Sequence, residues 1–125
     1  MRPLDGVLGE HMGEVRNVSD SEFNDTVNET EWVIVDFWAP WCAPCKAIGP
    51  VLEAVAEERE ILVAKVDTEQ NTATAAQLGV RSIPALFMYR NGTIVSQKTG
   101  SMPKAKLLSW ICLLYTSPSP RDGRI

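Results

Sequence analysis

The chain has one histidine, three cysteines and no long apolar run. Each scarcity excludes something. A structural zinc site needs four ligands. The soft ligands here are Cys42, Cys45, Cys112 and His11, with no second close pair, so no metal site is expected. A disulfide scaffold needs an even and larger cysteine count. No apolar stretch reaches the roughly 18 residues that cross a bilayer. The opening Met1-Arg2-Pro3-Leu4-Asp5-Gly6 lacks the apolar core of an export signal, so a cytoplasmic protein without a membrane partner is expected. Positive charge is also short. Twelve Lys and Arg stand against 16 Asp and Glu, a formal net charge of −4. With no basic stripe, a nucleic-acid partner is not expected. What is present is a 125-residue chain, 45% hydrophobic, enough for one domain with its own core and too few for two.

The cysteines concentrate the chemistry. Cys42-Ala43-Pro44-Cys45 follows an apolar run that ends at Trp38. It precedes a segment where Ile48, Val51, Leu52, Val55 and Ala56 recur at helical spacing. The pair therefore sits where a buried strand ends and a helix begins. There the unpaired N–H groups and the helix dipole favour negative charge. The thiolate is the reactive form of cysteine, and a helix start within a CxxC motif lowers a thiol's pKa from its usual ~8.5. A redox dithiol in a reducing compartment fits better than a zinc half-site or two ordinary buried cysteines.

The remaining elements read in order. Met1 to His11 shows no period and is expected to be a flexible extension; nothing is assigned to His11. Glu14 to Val18 alternates like an edge strand. Ser19 with Glu22 forms a capping-box pattern, and Phe23 and Val27 face the core of the short helix that follows. Trp32 to Trp38 is apolar on both faces except at Asp36, the pattern of a central strand covered on both sides. The helix after the cysteines runs toward Arg59, with a kink expected at Pro50. Ile61 to Asp67 is a second buried strand, reached by a right-handed crossover. Gln70 to Leu78 is a short helix closed by Gly79. Pro84 to Tyr89 and Thr93 to Thr99 form a hairpin around Asn91-Gly92. Ser101 and Pro103 open a last helix whose Leu107, Leu108 and Ile111 share a face. The result is an α/β protein, with a mixed central sheet and helices on both faces.

Val35-Asp36-Phe37-Trp38-Ala39-Pro40-Trp41-Cys42-Ala43-Pro44-Cys45-Lys46 closely resembles the active-site segment of the thioredoxin family. The resemblance continues through Pro50, Ala64-Lys65-Val66-Asp67, Ile83-Pro84, Asn91-Gly92 and Gly100, and covers residues 12–111. It implies a thioredoxin fold with five strands, and a protein-disulfide reductase cycling between dithiol and disulfide. Cys42, first in the motif and exposed by the strand-to-helix turn, is the expected nucleophile. Its thiolate attacks a substrate disulfide to give a mixed disulfide, and Cys45, one helical turn on, resolves it. Pro44 supplies a fixed φ in the first helical turn.

Other roles follow from the same resemblance. Asp36 is costly to bury as a carboxylate, so its pKa should rise. The family's pattern makes it the group that takes a proton from Cys45, with Lys65 as charge partner; a satisfied structural carboxylate is the alternative. Pro84 matches the family's cis-proline, facing the cysteines, where the Ile83 backbone pairs with an extended substrate. Trp41, Ile83, Pro84 and Gly100 form a shallow apolar substrate surface. Trp38 is open between that surface and core packing, and Lys46 between tuning the thiolate and simple solvation. Ala43 departs from the family's usual glycine; it restricts the backbone and tunes the potential with a sign the sequence does not give. No bound cofactor is implied. Electrons would come from NADPH only indirectly, through a flavoprotein reductase of the thioredoxin-reductase type. The substrates would be disulfide-containing proteins, and the protein is expected to be a monomer. The competing readings are a thiol oxidant or isomerase on the same fold, and a non-catalytic binding subunit.

The C-terminus departs from the family. Cys112-Leu113-Leu114-Tyr115-Thr116-Ser117-Pro118-Ser119-Pro120-Arg121-Asp122 resembles one reading frame of a transposon-end sequencing adapter. Residues 112–125 are therefore expected to be a non-native tail, the domain ending near Ile111 with its last helix shortened.

Overall fold

A computed structural model describes residues 13–116. The expected extension at 1–11, with His11, and the tail beyond 116 lie outside them. The elements in order are β1 (Val15–Asn17), a single 3-10 turn (Asp20–Glu22), α1 (Phe23–Val27), β2 (Trp32–Trp38), α2 (Ala43–Arg59), β3 (Leu62–Asp67), α3 (Thr72–Gln77), β4 (Ala85–Arg90), β5 (Thr93–Thr99) and α4 (Lys104–Thr116). They build one five-stranded sheet in the order β1-β3-β2-β4-β5. β1 and β2 both run parallel to β3, while β4 is antiparallel to β2 and β5 to β4.

β2 is central because its residues are apolar on both faces. Alternate side chains of a strand point to opposite faces. Val33, Val35 and Phe37 therefore join Phe23 and Val27 of α1 on one side. Ile34 joins Ile48, Leu52 and Val55 of α2 and Leu107 and Ile111 of α4 on the other. Each fully buried side chain of this size contributes about 1.5–3 kcal/mol of apolar transfer free energy. Asp36 shares the face of Ile34, so one carboxyl interrupts the α2/α4 side of the core. Its strand neighbours are Lys65 on β3 and Leu86 on β4.

The local signals map onto the elements with two adjustments, at α1 and at α4. Glu22 accepts from the Ser19 N–H at 3.1 Å, as the capping box requires. The first turn is nevertheless 3-10, and α1 is only five residues long. The Asn91-Gly92 hairpin adopts positive φ at both positions, 53° and 80°, the geometry that matches strand twist. α2 continues through Pro50 and ends at Arg59. The largest difference is α4, which continues past Ile111 to Thr116. Ile111, Leu114 and Tyr115 keep the i, i+3, i+4 spacing, so the helical face does not break at residue 112. Leu114 packs on the α2/α4 cluster, and the Tyr115 ring lies 4.6 Å from that of Trp32.

Candidate functional site

The site forms where β2 stops. The Cys42 N–H donates to the Ala39 carbonyl at 3.1 Å, which turns the chain back toward α2. Cys42 is the N-cap of α2, in extended conformation, and its Sγ accepts the Cys45 N–H at 3.2 Å. A cap normally uses an oxygen for this bond; here a sulfur occupies the place where a helix start favours negative charge. Ala43 and Pro44 fill the first turn and are exposed. Cys42 and Cys45 are joined as a disulfide, with Cα atoms 5.2 Å apart. The exposure expected of Cys42 is not found: it is 4% exposed, and Cys45 is 2% exposed. The reason is a contact distant in sequence. Cys42 Sγ lies 3.8 Å from the Ile83 carbonyl oxygen, and Ala39, Trp38 and Ile83 surround the pair.

The Ile83–Pro84 bond is cis. Pro84 accepts the Gly100 N–H through its carbonyl at 2.8 Å, so the end of β5 is pinned beside it. Gly100 has φ +90°, which L side chains rarely adopt, and a Cβ there would meet nothing within 4 Å. Glycine is required by the backbone angle, not by crowding. Trp41 is 68% exposed next to Cys42. Its indole N–H donates to Glu69 Oε2 at 2.7 Å.

Asp36, in the second half of β2, is fully buried, and neither carboxyl oxygen has a hydrogen-bond partner. Burial pushes its pKa up to about 7, while the positive charge of Lys65 pulls the other way. Lys65 stands beside Asp36 in the strand register. Its ammonium, however, lies over the Trp38 ring, 4.7 Å from the centroid, so its influence on Asp36 is through the field. Trp38 is half-buried against the disulfide. That places it with the packing rather than the outer surface. Lys46 is exposed.

Of the predicted residues, Trp38 and Ile83 pack against the disulfide, Pro84 follows Ile83 and holds the Gly100 N–H, and Asp36 and Lys65 are neighbours in the strand register. Sequence reasoning missed Glu69 and Thr68, which hold the loop beside Trp41. They sit in a polar run after β3 and carry no pattern of their own. Among the described residues, no cluster of three or more His, Cys, Asp or Glu is arranged to hold a metal ion, and no helix is long and apolar enough to cross a membrane.

Two sulfurs that bond to each other at a helix start, one of them capping it, exchange electrons with another sulfur pair. The class is that of the thiol–disulfide oxidoreductases. The thioredoxin family model matches residues 14–112. A thioredoxin of Haemophilus influenzae is 43% identical over 103 residues, 80% of this chain and 96% of that one. A thioredoxin of Streptomyces clavuligerus is 46% identical over 98 residues, 77% of this chain and 92% of that one. A solved mutant thioredoxin from Halobacterium salinarum superposes with a TM-score of 0.78 at 34% identity, covering 86% of this chain and 96% of that one. The chain belongs to the thioredoxin family. It exchanges the Cys42/Cys45 dithiol with disulfides of other proteins, and the family carries no bound cofactor for that chemistry.

Proposed function

We propose the following division of roles within that activity. The Cys42 thiolate attacks one sulfur of a substrate disulfide. A Cys42–substrate bond forms, and the other substrate sulfur leaves as a thiolate. Asp36, with its pKa near 7, takes the proton of Cys45. The Cys45 thiolate then attacks Cys42 Sγ and forms the intramolecular disulfide. The second substrate sulfur is released, and two electrons have passed to the substrate. Lys65 keeps Asp36 from rising further. Trp41, Ile83, Pro84 and Gly100 receive the substrate segment, the Ile83 backbone lying against the sulfur it would present. Ala43 and Pro44 tune the balance of dithiol and disulfide.

The observation that carries this reading is the bond from the Cys45 N–H to the capping sulfur of Cys42. It stabilises charge on the first sulfur and keeps the second within one turn. The electrons return from NADPH through a flavoprotein reductase, and the protein works as a monomer in the cytoplasm. The deciding experiment is equilibration of the Cys42–Cys45 couple against glutathione. A couple more reducing than glutathione supports the reductase. An oxidising couple hands the site to the oxidant or isomerase reading, and a Cys42→Ser protein with full biological activity hands it to a binding subunit.

A further inference from the structure

α1, α3 and the β4–β5 hairpin border a cleft of about 470 Å³. It lies on the α1 side of the sheet, opposite α2 and α4. None of the residues packed around the disulfide lines it. The floor is apolar: Phe23, Val27 and Tyr89 are buried there, with Leu78 beside them. The rim is polar but uncharged. Asn24, Gln77 and Thr93 are exposed there, and among the described residues no Asp, Glu, Lys, Arg or His lines the cleft. Small-molecule pockets run from roughly 300 to 1,000 Å³, with a few polar groups on mainly apolar walls. Both the size and the lining fall in that class.

Tyr89 gives the cleft a chemical preference. It is 5% exposed, and its ring meets that of Phe23 edge-on, with centroids 5.8 Å apart. A buried tyrosine normally finds a hydrogen-bond partner for its hydroxyl. Among the described residues this hydroxyl has none, and burial alone pushes the phenol's pKa up. An unpaired polar group in a core costs stability that a phenylalanine would not. A donor is therefore held ready where the floor offers it nothing to bond.

We infer that this cleft binds a small, uncharged aromatic molecule that carries a carbonyl, its ring on the floor of Phe23 and Val27 and its carbonyl oxygen accepting a hydrogen bond from the Tyr89 hydroxyl. The apolar floor selects the ring, and the unpaired donor selects the acceptor. A charged ligand would lose hydration with no opposite charge to replace it. This is a second site on the domain, separate from the sulfur exchange.

The test is titration of the oxidised full chain with benzamide, followed by amide NMR. Saturable shifts are expected at Asn24, Gln77 and Thr93, and none at Trp41 or the Cys42–Cys45 turn. Tyr89→Phe keeps the ring and deletes the donor. Its affinity for benzamide should fall about three- to tenfold. Its affinity for toluene, which has no acceptor, should stay within about twofold of the parent. The variant should also be no less stable to urea, because the deleted hydroxyl has no partner to lose. Equal benzamide affinity in the parent and Tyr89→Phe overturns the inference, since the donor would then read nothing. A lower urea midpoint in Tyr89→Phe overturns it too, because the hydroxyl would already be paired within the fold. Shifts that never saturate, or that gather at the disulfide instead, reduce the cleft to a solvent groove and end the inference.

Discussion

The Cys45 amide N–H points at the Cys42 sulfur from 3.2 Å in the disulfide state, and on reduction the first sulfur is expected to keep that backbone donor and the helix start. Both favour the thiolate. Cys45 sits one turn inside α2, and its N–H points outward to its partner. The two thiols should therefore separate in acidity. Alkylation of the reduced protein by iodoacetamide, followed against pH, is expected to modify Cys42 first. Its midpoint should lie clearly below the ~8.5 of a free thiol. Equal rates at both cysteines, with a midpoint near that value, would contradict the assignment of Cys42 as nucleophile.

Asp36 makes stability depend on pH in a defined direction. Its folded pKa, about 7, lies above the ordinary carboxylate value because burial penalises the charged form. Between those two values the folded state holds a proton that the unfolded state has lost. Stability therefore falls as pH rises through that window and levels off above about 7. Asp36→Asn removes the ionisation. In the oxidised protein, where the cysteines do not titrate, the variant should be more stable than the parent at pH 8. The gap should be on the order of a few kcal/mol and close as pH falls toward 4. The same variant should reduce disulfides more slowly near neutral pH. Urea midpoints at several pH values, with insulin turnover at pH 7, decide the matter: a pH-independent difference in stability removes Asp36 as a buried titrating group.

The fold was largely legible because its signals are local. Trp32 to Trp38 is apolar on both faces and can only be a central strand, and Asn91-Gly92 names its own turn. Cys42 and Cys45 were readable because a strand pattern gives way to a helix pattern at that point. What escaped depends on contacts remote in sequence. The burial of Cys42 comes from the Ile83 carbonyl, which reaches it only through the folded sheet. Glu69 looks like any solvated loop carboxylate until the fold brings it to Trp41. The placement of the Lys65 ammonium over Trp38 is likewise invisible in a strand pattern that gives only register. The end of α4 is a different case: the resemblance of residues 112–122 to an adapter sequence led to the expectation of a helix shortened at Ile111, although the spacing of Ile111, Leu114 and Tyr115 carries the helical face on to Thr116.

Lys65 supplies a second handle on the same carboxyl. Its charge lowers the Asp36 pKa while burial raises it. Lys65→Met keeps an apolar stem over Trp38 and deletes the charge. Asp36 should then titrate above its present value, and the pH at which stability levels off should move upward. Turnover limited by proton transfer from Cys45 should move to higher pH with it. Carboxyl titration of Asp36 by NMR in the oxidised parent and variant reads this directly. A midpoint that stays put or falls in Lys65→Met would show that the two groups are not coupled.

Tyr115 tests where the folded domain ends. Its ring lies 4.6 Å from that of Trp32, and Arg90 covers the same indole at 5.0 Å while bonding to Glu31 at 3.0 Å. Aromatic pairs of this kind contribute about 0.5–1.5 kcal/mol beyond the area they bury. We propose that residues 112–116 complete α4 as part of the folded unit, whatever the origin of the coding sequence. Tyr115→Ala should then lower stability by about 1–2 kcal/mol, seen as a lower urea midpoint with an unchanged slope. Turnover at the distant disulfide should remain within about twofold, since the contact lies at the start of β2 and the cysteines follow its end. A urea midpoint identical to that of the parent would mean that the last turn of α4 rides on the domain without supporting it, and would return the boundary to Ile111.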